Sequence, residues 1–128
     1  MNGEKNGFGQ LKWGKGGIYI GNFVNNNING KGKYIFEDNK TYEGMWKNNK
    51  MNGFGRFEWP DGKIFEGEYI NDKKNGFGIF IWPDGRIYKG NWKNGRQDGE
   101  GDYYNPNTKE WKRGLWKCGK RIKWNKMI

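Results

Sequence analysis

The feature that most constrains this chain is a 23-residue period. An aromatic-x-Gly-x-aromatic segment recurs at Tyr19-Ile20-Gly21-Asn22-Phe23, Tyr42-Glu43-Gly44-Met45-Trp46, Phe65-Glu66-Gly67-Glu68-Tyr69 and Tyr88-Lys89-Gly90-Asn91-Trp92, with a step of 23 residues each time. A second segment follows at a fixed offset. It carries Asn29-Gly30, Gly32, Tyr34 and Phe36 in the first unit, then Asn52-Gly53, Gly55, Phe57 and Trp59. The next copies carry Asn75-Gly76, Gly78, Phe80 and Trp82, then Asp98-Gly99, Gly101 and Tyr103. Four units in phase require one small structural unit used repeatedly, each copy burying its apolar side against its neighbours.

Incomplete units flank these four. Asn6-Gly7-Phe8-Gly9, with Leu11 and Trp13, is a second segment without its first. Gly114-Leu115-Trp116 matches Gly90-Asn91-Trp92, but at a step of 24 residues, with Pro106-Asn107-Thr108 in place of the usual turn. Lys112 stands where an aromatic is expected. Neighbouring Trp111 reads as its substitute, and the last hairpin as distorted. The organisation is therefore one array: a half repeat at 6–18, full repeats at 19–41, 42–64, 65–87 and 88–111, and a partial repeat with a basic tail at 112–128.

Composition decides the type of element. There is no Ala and there are only two Leu and one Val, against eight Trp, eight Phe, seven Tyr and 23 Gly. Glycine and asparagine are poor helix formers, and aromatics favour strands. High glycine and charge also fit disorder, but disordered chains lack aromatics in phase. The class is all-β. Alternation along Tyr42-Gly44-Trp46 and Gly55-Phe57-Trp59 puts rings and glycines on one face and Glu43, Met45, Arg56 and Glu58 on the other. Trp59-Pro60-Asp61-Gly62 and Trp82-Pro83-Asp84-Gly85 carry turn chemistry, and Glu37-Asp38-Asn39 repeats it with Asn in the glycine place. A strand glycine costs about 0.5–1 kcal/mol relative to Ala. Repeating it at Gly21, Gly44, Gly67, Gly90 and Gly114 implies rings lying over bare Cα positions. The expectation is about ten strands and a sheet roughly 45–50 Å long.

These segments resemble the MORN repeat (membrane occupation and recognition nexus), whose hallmark is Tyr-x-Gly-x-Trp followed by Gly-x-Gly-x-aromatic and an Asp-Gly turn. The resemblance covers nearly the whole chain. It implies an elongated, twisted, single-layer antiparallel sheet of tandem hairpins. It also implies cytoskeletal, ciliary or membrane-proximal settings, and, from the idea behind the family's name, phosphoinositide membranes.

Two surfaces follow. The first is an aromatic groove lined by Tyr42, Trp46, Phe57, Trp59, Phe65, Tyr69, Phe80, Trp82, Tyr88 and Trp92, expected to leave ring surface open to a protein partner. The second is the basic end. Residues 1–108 carry 16 basic and 13 acidic side chains, whereas residues 109–128 carry eight basic and one acidic. Lys112, Arg113, Lys117, Lys120, Arg121, Lys123 and Lys126, with Trp124, are candidates for anionic lipid. A competing reading has Trp124 capping the groove while the lysines keep the array soluble. A single-stranded nucleic-acid platform fits less well, because the cations are not concentrated in the aromatic repeats. The half repeat leaves one strand edge open. A longer array, a cap formed by Met1–Lys5, or a strand from a second copy in an end-to-end homodimer would each cover it.

Catalysis finds no support. There is no His, which removes the commonest general base and metal ligand. Cys118 has no His to activate it, and one cysteine cannot build a zinc site. The Gly-x-Gly pairs lack the third glycine and following helix of a phosphate loop. No catalytic residue, metal ligand or cofactor is assigned. A lone cysteine, no apolar run long enough to span a bilayer and no secretory signal read at Met1 point to the cytoplasm, at the cytoskeleton, a cilium or a membrane surface. The expected role is a non-enzymatic scaffold or adaptor for a protein partner or another such chain, with anionic-membrane attachment as the alternative.

Overall fold

Strong turns at both ends of the repeat fold it into hairpins. Among residues 4–125, those the computed structural model describes, eleven antiparallel strands follow one another in chain order in a single sheet. They are β1 (Gly7–Trp13), β2 (Gly17–Val24), β3 (Asn27–Ile35), β4 (Thr41–Lys47), β5 (Lys50–Glu58), β6 (Ile64–Ile70), β7 (Lys73–Ile81), β8 (Ile87–Lys93), β9 (Arg96–Asn105), β10 (Glu110–Lys117) and β11 (Lys120–Trp124).

The wider turns close as expected. Gly62 lies at φ 102° and Gly85 at φ 97°, and Asn39 takes the same place at φ 73°. The Asp61 carboxylate accepts the Lys63 backbone N–H at 3.1 Å, and Asp84 does the same for Arg86. The tight turns inside each unit place two consecutive residues at positive φ: Asn25-Asn26, Asn48-Asn49, Asn71-Asp72, Asn94-Gly95 and Cys118-Gly119. Such two-residue turns match the twist of the flanking strands, and Asn, Asp and Gly tolerate them best.

Each tight turn docks on the preceding repeat. The side-chain carbonyl of Asn6 accepts the Asn25 backbone N–H, and Asn29 serves Asn48, Asn52 serves Asn71 and Asn75 serves Asn94, at 3.0–3.3 Å. Main chain reinforces it: Asn49 N–H donates to Ile28 O, Asp72 N–H to Met51 O and Gly95 N–H to Lys74 O, each at 2.9 Å. The invariant spacing of Asn-Gly thus has a mechanical reason. It carries the acceptor that stacks one hairpin on the next. Asn52→Ala removes one such acceptor at an exposed site, and a loss of about 1 kcal/mol is expected by thermal unfolding. A melting curve identical to the parent's would count against this stapling.

One row of glycines crosses the sheet. Gly9, Gly21, Gly32, Gly44, Gly55, Gly67, Gly78, Gly90, Gly101 and Gly114 face one another pair by pair from β1 to β10. The aromatic that opens each unit lies over the glycine of the following strand. A Cβ built at Gly32 would strike the Tyr19 ring, at Gly55 the Tyr42 ring, at Gly78 the Phe65 ring and at Gly101 the Tyr88 ring. The row ends where Gly114 pairs with Trp124.

Three expectations change at the C-terminal end. First, there are eleven strands, because Cys118-Gly119 forms a tight turn and sends residues 120–124 back along β10. Second, the β9–β10 ladder is regular from Glu110↔Asn105 to Trp116↔Gly99, so the extra residue is absorbed in the turn and the hairpin is not distorted. Third, Trp111 does not replace the missing ring. It lies on the opposite face, beside Tyr104 at 5.1 Å. The exchange is reciprocal: Trp124 occupies the glycine position, which leaves room at 112 only for a slim side chain. Lys112 runs above the indole, its ammonium 5.7 Å from the ring. At the other end Lys5 and Asn6 bond to the β2–β3 turn. Of Met1–Lys5, one of three alternatives for covering this edge, Met1–Gly3 lie outside the described residues, as does Lys126.

Candidate functional site

The aromatic face has two tiers. The lower tier is a chain of near-perpendicular contacts running Phe23, Tyr19, Trp46, Tyr42, Tyr69, Phe65, Trp92, Tyr88, Trp116 and Trp124. Its centroids are 4.8–5.8 Å apart, at interplanar angles of 78–89°. Edge-to-face geometry of this kind is favourable beyond its area burial. Tyr19, Tyr42, Phe65 and Tyr88 are 0 % exposed. The hydroxyls of Tyr19, Tyr42 and Tyr88 donate to backbone carbonyls of the same strand, and the Trp46 and Trp92 indoles donate to Gly32 O and Gly78 O. The Tyr69 hydroxyl is buried without a partner. Burial pushes the Tyr42 and Tyr69 phenols well above their usual range, and raises Tyr88 to about 12.

The upper tier is a strip of tilted rings, Trp13, Tyr34, Phe36, Phe57, Trp59, Phe80, Trp82, Tyr103 and Trp124, linked at 4.4–6.5 Å. The ten expected groove residues therefore share one face but not one depth. Tyr42, Trp46, Phe57, Phe65, Tyr69, Tyr88 and Trp92 are buried, whereas Trp59, Phe80 and Trp82 remain partly open. The expected open groove is corrected to a sealed lower layer under a partly exposed strip.

Cations decorate this strip. Lys40 lies over Phe36, Lys63 over Trp59 and Arg86 over Trp82, each paired with the aspartate of its own turn. Lys74 lies 5.5 Å from Trp59, 5.2 Å from Phe65 and 5.7 Å from Trp92. Burial among these rings holds its ammonium pKa below the ordinary lysine value, and Lys63 acts in the same sense. The sequence reading confined basicity to the tail, whereas folding brings cations of the repeats onto the rings.

The tail cations do not form one surface. Arg113 lies across the sheet, where its guanidinium donates to both oxygens of Asp102 at 2.8 and 3.1 Å. Arg121 stacks 4.4 Å from the Trp124 ring, on the same side as Lys112. Lys117, Lys120 and Lys123 are exposed. Trp124 is half-buried against Trp116 and Tyr103, a seat in the aromatic layer and not a free anchor.

The opposite face carries features missed in the sequence. Phe8, Phe54 and Phe77 are 76, 60 and 51 % exposed, all in the x of Asn-Gly-x-Gly. Parity within the strand was the available signal. A ladder of alternating charge crosses this face, Lys33, Glu43, Arg56 and Glu66, and resumes beyond Ile79 with Lys89, Asp102 and Arg113; Arg56 lies 3.3 Å from Glu66, and Arg113 pairs with Asp102. No group of three potential metal ligands comes together among the described residues.

The family model for the MORN repeat matches residues 1–18, 19–41, 42–64, 65–85 and 88–108. No curated protein matches the chain.

Proposed function

The chain belongs to the MORN-repeat family, whose non-enzymatic repeats mediate protein or membrane association, and from that premise we propose that it is a scaffold or adaptor holding a protein partner on its aromatic face. The observation that carries this reading is the upper strip, a line of rings from Trp13 to Trp124 in which all but the buried Phe57 remain at least partly open. The lower tier already fills the space above the glycines, so the outer rings Trp59 and Trp82 supply surface beyond what closes the core. Large aromatic anchors of this kind dominate binding energy at protein interfaces. The setting we propose is cytoplasmic, at a cytoskeletal, ciliary or membrane-proximal assembly.

The alternative is attachment to anionic membrane through the basic end, supported by the exposed Lys117, Lys120 and Lys123. It is weakened by the engagement of Arg113 with Asp102 and of Trp124 with its ring neighbours. Deleting the tail is a poor test, because Trp116 is buried and β10 pairs along β9. A charge swap at Lys117, Lys120 and Lys123 to Gln keeps the sheet. The expected result is no flotation of the parent chain with phosphoinositide vesicles at physiological salt. Proteins captured from cell extract by the parent should be lost with Trp59→Ala plus Trp82→Ala. Flotation by the parent, abolished in the triple Gln variant, would instead establish the membrane reading.

A further inference from the structure

We infer that the partner segment held on the aromatic face is acidic, with a carboxylate seated at Lys74 beside Lys63 and Trp59. This rests on the scaffold reading and names the chemistry of its partner.

Lys74 holds a repeat position that does not demand a charge. The residue that pairs with the second aromatic across the bulge is Ile28 opposite Phe23, Met51 opposite Trp46, Lys74 opposite Tyr69, Gln97 opposite Trp92 and Arg121 opposite Trp116. Apolar fillers satisfy the packing in two repeats, so the packing does not require a charge there. The Lys74 ammonium sits among Trp59, Phe65 and Trp92, and among the described residues none of the ion pairs includes it. The ring faces compensate only in part for lost water. The ammonium is not sealed, since among the described residues the Tyr69 hydroxyl is the one fully enclosed side-chain polar atom left without a partner.

The surroundings repeat the sign. Lys63, paired with Asp61, lies 5.7 Å from the same Trp59 ring and is the one charge that Lys74 feels. The strand carboxylates Glu43, Glu66 and Asp102 are on the opposite face, in register with Lys33, Arg56 and Lys89. An incoming carboxylate therefore meets an ammonium short of acceptors and no nearby strand acid to repel it. Truncating one partner of a charge pair in such partly dehydrated surroundings costs more affinity than removing a charge at a solvated rim.

A nucleic acid fits this surface less well. Stacking needs open ring faces, whereas these rings are tilted 30–55° to one another and several carry cations on their faces.

The test is selection of a random displayed peptide library on the full chain, followed by fluorescence titration of a synthesised selected peptide. Lys74→Met is the discriminating variant, because Met51 already occupies the equivalent place and the fold should be kept, as checked by circular dichroism. The expected result is enrichment of Asp and Glu beside apolar residues, and affinity at least about tenfold weaker in Lys74→Met. Peptides that depend on Trp59 and Trp82 but lack acidic residues and ignore Lys74→Met would overturn this inference and leave the scaffold reading standing. Failure to recover any peptide dependent on Trp59 and Trp82 would overturn both. Binding of oligothymidylate in competition with the peptide, lost in Lys74→Met, would assign the site to nucleic acid and overturn the acidic-peptide reading.

Discussion

Gly55→Ala is expected to lower stability by about 3 kcal/mol, at the upper end of what overpacking one methyl costs in a well-packed core. The added Cβ has nowhere to go. It would strike Oη, Cε1 and Cζ of Tyr42, a ring that is 0 % exposed. That ring is wedged between Trp46 at 5.1 Å and Tyr69 at 5.2 Å, and its hydroxyl is bonded to Met45 O at 3.0 Å. Moving it aside breaks contacts in two repeats. For a chain of this size the loss corresponds to a melting temperature lower by roughly 10 °C. Gly9 provides the control. It stands at the same motif position, but its added Cβ would meet only the Phe23 ring, at an ordinary 3.5 Å. Gly9→Ala should therefore change stability by no more than about 0.5 kcal/mol. The readout is the pair of melting curves followed by tryptophan fluorescence. Equal melting of the two variants would mean that the rings are not seated on the glycine row.

This contrast also marks where the sequence is legible. A period of 23 and an alternation of two are local patterns, so hairpins, turns and the common face of Tyr42, Trp46, Phe57 and Trp59 can be read directly from spacing. Depth is not local. Whether a ring is sealed depends on which ring of the next strand covers it. The sequence therefore placed Trp46 and Trp59 alike on an open groove, although one is buried and the other is partly exposed. The end of the array shows the same limit. A missing aromatic at Lys112 suggested a replacement one residue away, at Trp111. The compensation actually comes from Trp124, twelve residues on, through an exchange of large and small positions across the strand pair. Phe8, Phe54 and Phe77 sit between two motif glycines, and only strand parity turns these rings outward. Lys74 stands out only after folding, because the three rings around it come from the turn after β5, from β6 and from β8.

Tyr42→Ala should be the most damaging side-chain truncation in the middle of the array, at about 3–5 kcal/mol, the range for deleting a buried aromatic. Tyr42 touches Trp46 in its own strand, Phe57 at 6.3 Å in the next and Tyr69 in the following repeat. Its loss leaves a cavity over Gly55 and removes the link that joins two hairpins in the lower tier. Tyr42→Phe separates the ring from the hydroxyl. Phe65 fills the equivalent place in the next repeat with no hydroxyl at all, so this variant should lose only the bond to Met45 O, about 1 kcal/mol. Because stability in such arrays is a sum of repeat and nearest-neighbour terms, the Ala variant should also lose cooperativity. Hydrogen exchange should show β2–β5 opening at a lower free energy than β7–β10, whereas the parent protects both alike. If Tyr42→Ala melted in one transition with uniform protection, the lower-tier rings would not be what couples one repeat to the next. The stiffness of the sheet would then rest on the glycine row and the asparagine staples alone.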